Sequence, residues 1–112
     1  MIGDSYIVGE TATNAFRWTL QDGITTLGTL GGLSSFSHAI SADGSTIVGY
    51  STTATFESEA FRWTQTTGMV SLQTLGGTNS TARGVSADGT VIVGTSDTSV
   101  TEQHAFRWTA ET

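Results

Sequence analysis

Cysteine, proline and lysine are all missing from this sequence of 112 residues. Without cysteine there is no disulfide framework and no thiolate metal site. Four arginines face ten acidic residues, for a net charge of −6. A phosphate-backbone binder needs clustered Lys or Arg, so nucleic acid is excluded as a partner. No apolar run approaches the ~18 residues of a membrane span. No stretch of a dozen residues carries a helical period, so no helix is expected. Charge is scarce too, at 12% of residues, against about 25% in a typical soluble chain. In its place stand 14 glycines and 35 serines and threonines, nearly half the chain. The length suits a single domain, 1–112, with a modest core.

The chain is a repeat, which overrides every local reading. Ala-Phe-Arg-Trp-Thr occurs at 15–19, 60–64 and 105–109, a period of 45 residues both times. Ser-Ala-Asp-Gly at 41–44 returns at 86–89, and Leu-Gly-Thr-Leu-Gly-Gly at 27–32 returns at 72–77 as Leu-Gln-Thr-Leu-Gly-Gly. Ile-Val-Gly stands at 7–9, 47–49 and 92–94. Its spacing to the next Ala is 8 residues in the first copy and 13 in the others. A length change that leaves its flanks intact marks a surface loop.

Each unit reads as short strands. Strand a is Ala39-Ile40-Ser41 or Gly84-Val85-Ser86, and an Asp-Gly hairpin signal at 43–44 or 88–89 leads into the β-branched Ile-Val-Gly strand b. Phe-Arg-Trp forms strand c. A turn at Asp22-Gly23 or Thr67-Gly68 leads to strand d, Ile24–Leu27 or Met69–Leu72, which Gly31-Gly32 or Gly76-Gly77 closes. Four short antiparallel strands per ~45 residues match a β-propeller blade. The expected fold is all-β and propeller-like, about 2.5 blades, with a partial unit 1–36, a full unit 37–81 and a partial unit 82–112. A β-prism or an open stack of small sheets is the alternative. Two and a half blades cannot close a ring, and an open end exposes a strand edge and an apolar face. The chain is therefore expected to self-associate or to belong with further repeats.

These motifs, His104-Ala105-Phe106-Arg107-Trp108 above all, resemble the HAF repeat family of extracellular bacterial proteins. The similarity covers essentially the whole chain. Asn14 and Glu59 replace the histidine in the first two copies, so that histidine is not essential to every repeat. The resemblance implies an exported, repetitive, propeller-like protein and brings no catalytic residues with it. Met1-Ile2-Gly3-Asp4 lacks the basic start and apolar core of a signal peptide. On the family reading, that signal was removed or lay upstream.

Three of the four arginines, Arg17, Arg62 and Arg107, sit between Phe16, Phe61 or Phe106 and Trp18, Trp63 or Trp108. Alternation puts Phe and Trp on one face of strand c and Ala, Arg and Thr on the other. A buried guanidinium needs a partner, and the repeated Asp43 and Asp88 are the expected ones, with stacking on an aromatic in addition. The Asp-Gly pairs read as turns rather than calcium loops, which need ligands at alternate positions. His38 and His104 have no metal-ligand spacing, and Glu57 and Glu59 read as solvated loop residues. No nucleophile elbow or phosphate loop appears. No catalytic residue, metal or cofactor is expected.

Where the copies differ is more informative. Ser34, Phe36 and His38 align with Asn79, Thr81 and Arg83, in the d–a connection and the start of strand a. Variable polar residues on a constant scaffold are what a ligand surface looks like. The function expected is a non-catalytic extracellular scaffold for binding or assembly, with a glycan or protein ligand. A fragment of a polysaccharide-acting propeller enzyme and a purely structural spacer are the alternatives.

Overall fold

The computed structural model describes residues 8–11, 14–21, 23–55, 57–74, 76–98 and 102–109. Met1–Asp4, Ile7, Asp22 and Leu75, which figure in the sequence reading, lie outside the described residues. The described residues form ten strands and no helix. The first unit is β1 (Val8–Thr11), β2 (Asn14–Thr19) and β3 (Gly23–Gly28). The second is β4 (Gly31–Ile40), β5 (Thr46–Thr53), β6 (Ser58–Thr64) and β7 (Gly68–Gln73). The third is β8 (Gly76–Val85), β9 (Val91–Thr98) and β10 (Gln103–Thr109).

Within each unit every strand pairs antiparallel with its neighbour in sequence. A single parallel pair, Ser58 with Asn79, joins the second and third units into one mixed sheet. A parallel bridge from Leu30 to Thr53 ties the end of the first unit to β5. The fold is all-β and mostly antiparallel. No sheet closes on itself and no propeller ring forms among the described residues.

The β-branched Ile-Val-Gly strand and the Phe-Arg-Trp strand form as expected, because alternating apolar side chains find a core on both faces. Ile47, Phe61 and Trp63 face the first unit and pack with Ala15 and Leu27. Val48 and Ala60, from the opposite face, pack with Ala82 and Ile92 of the third unit, and Phe106 and Trp108 lie against that cluster. At both joints the Ala/Arg face of one unit thus meets the Phe/Trp face of the next.

Strand a differs from its expected three residues. It runs for ten, from Gly31 or Gly76, and Ser41 and Ser86 fall in the turns that follow it. Two register shifts against strand b, between Gly31 and Ser35 and between Ser37 and Ala39, break the alternation that would have announced it. The Gly-Gly pair opens this strand instead of closing the previous one. The Gly of Ile-Val-Gly answers the second shift. A Cβ on Gly49 would run into the Phe36 carbonyl, and one on Gly94 into the Thr81 carbonyl.

Candidate functional site: the joints between units

Asp43 and Asp88 were expected to hold the arginines, and they do not. Asp43 Oδ1 accepts hydrogen bonds from Ser41 Oγ at 2.6 Å, Ser45 N at 3.0 Å and Ser45 Oγ at 2.7 Å. Asp88 Oδ1 accepts from Ser86 Oγ, Thr90 N and Thr90 Oγ1 at 2.8, 3.1 and 2.7 Å. The first serine of each motif accepts in turn from the amide that closes the turn, Thr46 N at 3.1 Å and Val91 N at 3.0 Å. Gly44 and Gly89 complete these turns at φ 77° and 80°, a region that favours glycine. The repeated Ser-Ala-Asp-Gly motif is thus a self-contained turn. The Ser41 hydroxyl, with Ser45, holds the Asp43 carboxyl at about 2, and the Thr90 and Ser86 donors lower Asp88 in the same direction.

The arginines use aromatic rings and a backbone carbonyl. The Arg17 guanidinium carbon lies 5.9 Å from the centroid of the Trp63 ring, and that of Arg62 lies 5.3 Å from Trp108. Both distances are within cation–π range. In each case the cation of one unit covers the tryptophan of the next, 46 residues on. Arg62 also donates from Nε and Nη2 to the Gly89 carbonyl oxygen at 3.3 and 3.2 Å. Arg17 is 8% exposed, and its buried Nε has no hydrogen-bond partner. The only ion pair among the described residues is peripheral, between exposed His104 and Glu102 at 3.3 Å.

A second tie depends on serines that the sequence reading passed over. Strands c and d shift register between Ala15 and Phe16, and again between Ala60 and Phe61. In the first shift, Ala15 N donates to Ser35 Oγ at 2.8 Å, and that hydroxyl donates to the Gly28 carbonyl at 2.6 Å. In the second, Ala60 N donates to Ser80 Oγ and Ser80 Oγ to the Gln73 carbonyl, both at 2.7 Å. A buried amide and a carbonyl left over by a bulge must find a partner. Here a serine of the following unit satisfies both. Ser51, fully buried, accepts from Leu30 N at 2.8 Å and ties the same boundary elsewhere. Ser35 and Ser80 were legible as identical residues 45 apart, standing between the variable positions on either side.

The six variable residues lie on β4 and β8. Ser34, Phe36 and Thr81 are half-buried, and His38, Asn79 and Arg83 are exposed. The described residues form no propeller ring around which these positions could gather. Phe36 and His38 instead flank Tyr50, at ring-centroid distances of 5.0 and 5.6 Å, and form an aromatic group that the sequence did not announce. Asn79 bridges two units: its Oδ1 accepts from Ser58 N at 3.3 Å and its Nδ2 donates to Asp97 Oδ2 at 3.2 Å. Glu59, expected in a solvated loop, lies in β6 and accepts from Ser71 Oγ at 2.6 Å.

At the turn end of the stack a cavity of about 550 Å³ opens across the joints, lined by Arg17, Arg62, Trp63, Thr67 and Asp88 among others. Its lining presents guanidinium, hydroxyl, carboxylate and tryptophan side chains. No group of three or more His, Asp or Glu among the described residues is placed to hold a metal ion. No protein-family model, curated protein or solved structure matches this chain.

Proposed function

We propose that this chain is a non-catalytic, exported repeat scaffold, an arc of propeller-like blades that binds a glycan or protein ligand. The observation that carries this reading is how the recurring polar residues are used. Arg62, Asp43, Asp88, Ser35 and Ser80 all hold turns or join units. A residue repeated in every unit to maintain the unit is what a stacked-repeat scaffold requires. The ligand surface is then sought where the units differ, at Ser34, Phe36, His38, Asn79, Thr81 and Arg83. The aromatic group of Phe36, His38 and Tyr50 supports a glycan, because rings present an apolar face with polar atoms at their edge. Export follows the resemblance to HAF repeats.

The test is binding of soluble neutral and uronic-acid polysaccharides, read by calorimetry and by the shift in melting temperature. Binding that weakens in exposed-site variants His38→Ala and Arg83→Ala, with unchanged melting of the free protein, is expected. A folded protein that binds no polysaccharide or protein in such panels is a structural spacer instead.

A further inference from the structure

Arg17 and Arg62 hold the same place in the same motif, but their surroundings differ. Arg62 is half-buried, stacks on Trp108 and donates from Nε and Nη2 to the Gly89 carbonyl. Arg17 is the more buried of the two, at 8% exposed, and its ring contact is looser, 5.9 Å against 5.3 Å. Its buried Nε finds no acceptor. Gly44 stands where Gly89 stands and lines the same cavity as Arg17, so the turn of this joint is in place and Nε is still unsatisfied. A guanidinium this buried needs an acceptor or an anion. The one ion pair among the described residues lies elsewhere, between His104 and Glu102.

Arg17 opens on the cavity of about 550 Å³ at the turn end of the stack. Small-ligand sites run to roughly 300–1,000 Å³. Arg62 brings a second guanidinium to the lining, and Asp88 a carboxylate whose Oδ1 already accepts from its own turn. Ser45, Gln65, Thr66 and Thr67 add exposed hydroxyls and an amide, groups that suit the hydroxyls of a sugar. In a chain of net charge −6, two cations thus face one anion here.

We propose that this cavity binds an acidic sugar of a polysaccharide, its carboxylate held by the Arg17 guanidinium and its hydroxyls by the polar rim. A planar carboxylate matches the guanidinium fork, and a charged acceptor makes the stronger bond. The proposal rests on the glycan reading and adds a charge-selective site whose lining includes none of the six variable residues.

The experiment is calorimetric titration of the whole chain with a trimer of galacturonic acid, with the same trimer as its methyl ester, and with acetate. The acid trimer is expected to bind, less tightly as salt rises, and the ester at least about tenfold more weakly. Gln65→Glu sets a carboxylate at an exposed turn position and is expected to weaken binding several-fold. Asp88→Asn removes one and is expected to tighten it. Arg17→Gln is expected to abolish it; where that variant fails to fold, the two rim variants still decide. No binding of the acid trimer by the folded wild type, equal binding of the ester, or affinity unmoved by both rim variants overturns the proposal. Acetate binding as tight as the trimer's overturns the sugar assignment. Binding lost in Arg83→Ala and kept in Gln65→Glu overturns this site and leaves the scaffold reading standing, as does binding of neutral polysaccharides alone.

Discussion

Gln73 is the one described non-glycine residue at positive φ, 71°, and Gly28 holds the matching place in the first unit at 80°. Both sit beside the register shift between strands c and d, where a left-handed residue lets the strand bulge. That conformation costs a residue with a Cβ about 1–2 kcal/mol. Glycine returns up to about 1 kcal/mol through the greater freedom of its unfolded chain. Gln73→Gly is therefore expected to stabilise the fold by about 0.5–1 kcal/mol, measured by urea denaturation; a loss of stability contradicts the assignment. Asp43 and Asp88 give a second prediction at this scale. Asp43 has its carboxyl lowered from 3.8 to about 2 by donors that the fold supplies. Its contribution is present above the ordinary carboxylate value and is lost as pH falls through the folded one. Melting temperature is expected to fall between pH 4 and about 2, and to fall less in the double variant Asp43→Asn, Asp88→Asn. Equal slopes for the two proteins contradict the role given to these carboxylates.

The strands differ in how plainly the sequence announces them, and the difference has a physical cause. Strands b and c pack on both faces with few irregularities, so Ile47-Val48 and Phe61-Arg62-Trp63 show their character directly. Strand a was legible only at its last residues. Its bulges at Gly31/Ser35 and Ser37/Ala39 destroy the two-residue period, and its opening Gly-Gly imitates a turn. The arginine–aromatic stacking was legible from the motif. Its partner across the joint was not, because a backbone carbonyl such as that of Gly89 leaves no trace in side-chain identity. Ser80 carries the prediction for this scale. Ser80→Ala strips the partner from the amide of Ala60, which is 0% exposed, and from the Gln73 carbonyl. A buried group left unsatisfied costs about 1–3 kcal/mol, so a loss of about 2 kcal/mol is expected, together with faster hydrogen exchange at Ala60. Unchanged stability and exchange contradict the tie.

At the scale of the molecule, three repeat units hold together through surfaces that no single unit buries alone. The apolar layers are thin among the described residues, with five buried residues in one and four in the other. Joints made by arginines over tryptophans and by buried serines supply what those layers do not, which accounts for a chain rich in hydroxyls and poor in charge. The sequence contains its own control. Arg62 and Arg107 occupy the same place in the same five-residue motif, but Arg62 lies in a joint, stacked on Trp108 and bonded to Gly89, while Arg107 lies on the open face. The decisive measurement is the thermal unfolding of Arg62→Met and Arg107→Met beside the wild type. Arg62→Met is expected to melt several degrees lower than the wild type and Arg107→Met at the wild-type temperature. Equal melting temperatures for the two variants would contradict an architecture held together at its joints.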